Sequence, residues 1–155
     1  MLIKNHKQQH GFSLVEVLIA LIIMSVGMLG IATLFVQSMQ AGRTSMFRHH
    51  AVTMAGDVAD RIRANPRAGV AYEGLGADNG CVGTGNDCNE AAMAAHDILL
   101  WDAQADESLP NGTVTITYND VAAPPEYTIR IDWDEPGEDP NAPLNYTITI
   151  PVLGF

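Results

Sequence analysis

Six consecutive residues, Gly11-Phe12-Ser13-Leu14-Val15-Glu16, set a glycine, a bulky aromatic and a carboxylate at the mouth of a long apolar run. From Phe12 to Val36 the chain has 25 residues with no proline and one formal charge, that of Glu16. A carboxylate in a membrane helix costs about 2.5–3.5 kcal/mol at the bilayer centre and less toward the interface, so it marks a function and has a partner. No Lys or Arg lies between Phe12 and Gly42, so the compensating cation must come from another molecule. The chemistry this pattern predicts is charge pairing between molecules, with no catalytic side chain in the segment itself.

Other residues with chemical potential lead elsewhere. Cys81 and Cys88 are the only cysteines and enclose Val-Gly-Thr-Gly-Asn-Asp. In an oxidising compartment they would close this loop as a structural disulfide, with free thiols as the alternative. Their spacing is not that of a redox CxxC pair, and two cysteines without a nearby histidine make a poor zinc site. His49 and His50 are adjacent on a predicted helix, so they point about 100° apart and do not chelate. Asp132, Asp134, Glu135, Glu138 and Asp139 crowd one turn, but Pro136 and Pro140 break any EF-hand-like spacing, and an acidic solvated loop is expected. Ser13, Ser25 and Ser38 have no histidine and carboxylate arranged to activate them. Trp101 and Trp133 are read as core aromatics. No metal, cofactor or catalytic residue is expected.

The elements that must position the segment follow from length and charge. Twenty-five helical residues span about 37 Å, enough for a bilayer core of about 30 Å. Lys4 and Lys7 precede the apolar run, and the rest of the chain carries all 18 carboxylates against six arginines. The positive-inside rule therefore keeps the first ten residues in the cytoplasm and sends the acidic remainder across. A net charge of −10 argues against a nucleic-acid partner. Arg61, Arg63 and Arg67 sit near Asp57 and Asp60 and are read as a solvated helix end that complements the macrodipole. Residues 1–11 look like a targeting segment, yet the apolar run exceeds that of an ordinary secretory signal, and Gly11 lies on its cytoplasmic side.

Beyond the membrane run, Phe47, Ala51, Met54, Ala55, Val58 and Ile62 recur at steps of three and four, which predicts an amphipathic helix. Asn65 before Pro66 ends it near Ala64. Residues 66–89 read as a loop. Asn89 caps a second helix from Glu90 to about Glu107, with Met93, Leu99, Leu100 and Trp101 as its apolar members. Leu109-Pro110-Asn111-Gly112 ends that helix. Alternation at Val114/Ile116/Tyr118, Tyr127/Ile129/Ile131/Trp133 and Tyr146/Ile148/Ile150/Val152 predicts three strands, each with one polar face. The expected class is α+β, with an antiparallel sheet packed against the amphipathic stripe and the second helix helping.

Gly11, Phe12 and Glu16 match, residue by residue, the type III leader-peptide motif of type IV pilins. In that family a membrane peptidase cuts after the glycine, the new amine is methylated, and glutamate occupies the fifth mature position. Beyond the motif, the chain resembles the minor pilins of the PilV type and, secondarily, the minor pseudopilins of type II secretion. The features that carry this are Gly27 and Gly30 in a lengthened apolar helix, the stretch Asp60-Arg-Ile-Arg-Ala-Asn-Pro66, the cysteine pair, the Trp-containing second helix and the three-stranded end. Thr33 stands where many major pilins carry a kinking proline, which favours a minor subunit.

The resemblance implies the type IV pilin fold and four segments. They are a leader, 1–11, removed by prepilin peptidase; a transmembrane and filament-core helix, 12–36; its amphipathic continuation, 37–65; and a periplasmic globular domain, 66–155, built together with 37–65. It implies N-methylation of Phe12, recruitment through Glu16, and a life that begins in the bacterial inner membrane and ends in the pilus. The implied partners are other minor and major pilins through the N-terminal helix, the inner-membrane assembly platform and a tip adhesin that the subunit helps display. The rival readings are a type II secretion pseudopilin and a single-span anchored periplasmic binding domain that is never cleaved or polymerised.

Overall fold

The computed structural model describes residues 11–83, 86–135 and 143–152. Helix α1 is one unbroken element, Leu14–Ala64, of 51 residues. It starts two residues later than Phe12, because the Ser13 carbonyl accepts the first helical N–H groups, from Glu16 at 3.1 Å and Val17 at 3.3 Å. Thr33 leaves the helix continuous and donates its hydroxyl to the Gly30 carbonyl at 2.7 Å, as Ser25 does to Ile22 at 2.8 Å. Both hydroxyls are thereby satisfied inside an apolar stretch.

Contacts divide the chain between Gly42 and Arg43. In the first unit the helix buries none of its large apolar side chains: Leu21, Leu29 and Phe35 are all exposed. That segment is long and apolar enough to cross a membrane.

The second unit has its own core. Ala51, Met54, Ala55, Val58, Ala59 and Ile62 of α1 are buried, at the predicted three-and-four spacing, and Phe47 packs at the margin. Strands β1 (Thr113–Asn119), β2 (Glu126–Trp133) and β3 (Leu144–Pro151) form an antiparallel sheet in the order β1-β2-β3. Ile116, Tyr127, Ile129, Ile131, Trp133 and Ile150 face the core, and Thr115, Thr117, Thr147 and Thr149 face solvent. The α+β architecture expected from the sequence is therefore the one found, and both tryptophans are core aromatics.

Three expectations need correction. Residues 66–89 are not all loop: a 3-10 helix, Gly69–Glu73, drives Tyr72 into the core, where it stacks on Trp101 at 5.7 Å and meets Tyr127 edge-on at 6.0 Å. In α2 (Glu90–Ser108), capped by the Asn89 side chain at 2.8 Å from the Ala92 N–H, Trp101 is inside as expected, but Leu99 and Leu100 remain 36% and 39% exposed. The inward face is the one Trp101 selects, with Ala94, Ile98 and Ala105 at −7, −3 and +4 from it; positions −1 and −2 lie about 100° and 200° round the helix. The Gly76 backbone crosses over Leu99 so closely that a Cβ there would lie 2.6 Å from the Leu99 nitrogen.

The third correction concerns Arg61, which is more than a solvated helix end. Its guanidinium lies 3.0 Å from Asp97, a buried carboxylate of α2 that also accepts the Tyr72 hydroxyl at 3.2 Å. Asn65 completes the group by donating to Tyr72 and to the Glu90 carbonyl. A buried carboxylate needs such partners, and here they tie the end of α1 to α2.

Burial also gives this core an alkaline limit. The Tyr127 hydroxyl donates to the Gly69 carbonyl at 3.0 Å, and burial pushes its pKa from 10.0 up to about 12; burial raises Tyr72 as well. The unfolded chain releases these protons first, so their contribution is complete below pH 10 and is lost as pH rises from there through about 12. Melting temperature should fall over that interval, and Tyr127→Phe should flatten the fall. A melting temperature constant from about pH 9 to 11.5 contradicts this.

Candidate functional site

Gly11, Phe12 and Ser13 precede the first helical turn, and Phe12 is 84% exposed. The Gly11–Phe12 peptide bond therefore lies in open, irregular backbone, and a Cβ built at Gly11 meets nothing within 4 Å. Glu16 sits in the first turn of α1. Ser13-x-x-Glu16 has the spacing of a capping box, and a carboxylate there complements the positive end of the helix dipole. This eases the electrostatic cost of the charge without neutralising it. Among the described residues no ion pair reaches Glu16. The Ser13 main-chain carbonyl accepts the first helical N–H groups, and Ser followed three residues later by Glu is visible in the residues themselves. The arrangement offers two things chemically: a Gly11–Phe12 bond outside the helix with no described atom within 4 Å of a Cβ at Gly11, and a carboxylate one helical turn away that its own helix leaves unpaired.

The remaining candidates are placed apart from this segment. Cys81 and Cys88 are joined as a disulfide with Cα atoms 5.7 Å apart; Gly80, just before the bridge, and Gly83, within it, have positive φ. The His49 and His50 ring centroids are 6.4 Å apart and the rings are tilted by 53°. The acidic turn is dispersed into separate contacts. Asp132 pairs with Arg130 at 2.6 Å, Asp134 accepts from Asn111 at 2.7 Å, and Glu135 accepts the Thr44 hydroxyl. Glu138, Asp139, Pro136 and Pro140 lie outside the described residues, as do leader residues 1–10 with Lys4 and Lys7. Arg63 pairs with Asp60 on the surface. No group of metal ligands forms among the described residues.

An exposed cleavable bond, a lone carboxylate in the first turn of an apolar helix, and a second unit in which the same helix continues onto an antiparallel sheet together define a pilin precursor. Two family models match in direct succession, the prokaryotic N-terminal methylation motif over residues 6–32 and type IV pilin Tt1218 over residues 33–99. The chain is thus a type IV pilin with an N-terminal methylation motif and a Tt1218-like pilin domain. No curated protein and no solved structure matches it. As a member of this family it is a structural protein and not an enzyme. Its motif entails processing by prepilin peptidase, assembly with pilus partners, and passage from the inner membrane into the pilus.

Proposed function

We propose that this pilin is a minor subunit of the PilV type, one of the set that primes pilus assembly and occupies the tip, where it helps display an adhesin. In this reading residues 1–11 are removed on the cytoplasmic side and the Phe12 amine is methylated. Residues 12–36 pass from lipid into the filament core, 37–65 continue the helix, and 66–155 with 37–65 form the domain outside the cytoplasm. Gly27 and Gly30, where an added Cβ meets nothing, leave room for other pilin helices to approach closely. An α1 that runs unbroken through Thr33, with no proline there, supports a minor over a major subunit.

The observation that carries the assembly reading is Glu16, a charge at the helix mouth that no described residue neutralises. The Phe12 ammonium of a neighbouring subunit is the cation that processing itself supplies. A free ammonium also opposes the positive helix end, so a carboxylate from next door relieves both charges.

Glu16→Ala should be cleaved and inserted normally but enter sheared filaments at about a tenth of the wild-type level or less, the factor for 1.4 kcal/mol of lost pairing. Glu16→Gln should behave alike. Normal incorporation of either variant overturns the pairing. The minor role is tested separately by deletion: loss of piliation that overproduction of the major pilin does not restore supports it. Loss of protein secretion with intact pili would place the subunit among pseudopilins instead.

A further inference from the structure

The two edges of the sheet are treated differently. On the β1 side the Tyr118 N–H donates to the Glu73 carboxylate at 2.7 Å, so the 3-10 helix satisfies an outward N–H of that edge. On the β3 side the Val152 N–H donates to Pro125 at 2.7 Å, which fixes the alternation along the strand. Ile150, Ile148 and Tyr146 turn their main-chain groups toward β2, and Asn145, Thr147 and Thr149 turn theirs outward. None of those three outward N–H groups has an acceptor among the described residues. Pro143 and Pro151, which have no N–H, bound the open stretch. The eight residues of β3 include no charge, the usual guard of an exposed edge.

Beneath this edge, between α1 and the core face of β3, lie two recesses. One of about 210 Å³ is bordered by Ile62, Tyr127, Ile150 and Val152; one of about 310 Å³ is bordered by Val52, Trp133, Leu144 and Tyr146. Tyr146 and Ile148 are only half-buried on the same face. Arg63 stands at the first recess and Arg48 at the second, in a chain of net charge −10.

We propose that β3 is a strand-addition site that takes an extended segment of another polypeptide as a fourth strand. The segment's main chain pairs with Asn145, Thr147 and Thr149, and its alternate apolar side chains enter the two recesses. Tyr146 and Ile150 are four residues apart, about 13 Å along a strand, so the guest carries apolar residues at n, n+2 and n+4. An acidic residue at its end suits Arg48, and one at the other end would share Arg63 with Asp60. A second copy of β3 is the poorer guest: its Ile150 is already buried against its own core and cannot fill a neighbour's recess. This surface does not depend on whether the subunit is minor or major.

The test is amide hydrogen exchange on the mature chain in detergent micelles. One probe is a synthetic peptide of alternating Val and Thr with Asp at each end; the other is an isomer of the same composition with its valines contiguous. With the alternating peptide, exchange at Asn145, Thr147 and Thr149 should slow about tenfold, while Tyr146 and Ile148, already bonded to β2, stay unchanged. Thr147→Pro, which removes an outward N–H and no β2 bond, should abolish the effect. Should proline disturb the strand, Thr147→Lys on the solvent face replaces it. The proposal is overturned if no protection appears, if both peptides protect equally, if the variant binds as well, or if protection arises from raising the protein concentration alone.

Discussion

Gly11→Trp should leave the chain at its full 16.7 kDa, with the mature form below detection and none of it in sheared filaments. Among the described residues a Cβ at this position meets nothing within 4 Å. The variant should therefore insert into the membrane and fold its second unit as the wild type does. What it loses is passage of the backbone through the peptidase cleft, which a large side chain obstructs. On the proposed reading, Phe12 without that cut has no α-amine to be methylated, and Glu16 has no cation to meet. Mass spectrometry of the membrane fraction reads the result directly, and the same spectrum on wild-type protein tests whether Phe12 carries a methyl group and reports the Cys81–Cys88 bridge. Normal-sized mature protein from Gly11→Trp would show that the peptidase has no need of the glycine, and the steric basis of processing would fall with it.

Trp101→Ala should cost about 3–5 kcal/mol, the range for emptying a large aromatic site in a core. A domain of this kind has about 5–15 kcal/mol in total, so the variant is expected to be partly unfolded at 37 °C. Trp101 is 1% exposed and stacks on Tyr72, which in turn meets Tyr127, so its loss opens the junction of α2, the 3-10 helix and the sheet. Leu100→Ala, one residue away and 39% exposed, should cost less than about 1 kcal/mol. Urea unfolding of the segment from Arg43 onward separates the two, since that unit contains every buried residue of the core. Equal losses for the two variants would contradict a core anchored by Trp101.

The periodic parts of the molecule were legible because each pattern has one geometric solution. Apolar residues every three or four from Phe47 to Ile62 must share a helix face, and alternation in three C-terminal runs must give strands with one buried side. Where the pattern is short and surrounded by apolar neighbours, periodicity leaves a choice. In α2, Leu99, Leu100 and Trp101 cannot all point inward, and hydropathy favours the leucines over Ala94 and Ala105. Tyr72 was lost for a different reason: it lies in a stretch rich in Gly, Asn and Asp, and five residues of 3-10 helix leave too little repeat to recognise.

The chain's order of residues alone determined the processing segment, the membrane-length helix and the class of fold, since these rest on local spacing and on the cost of charge in lipid. Tertiary structure alone decided which helical face Trp101 anchors, that Arg61 crosses to a buried Asp97, and that the outward N–H groups of Asn145, Thr147 and Thr149 meet no acceptor among the described residues. Those outcomes depend on which surfaces meet across long separations in the chain, and no local rule carries that information.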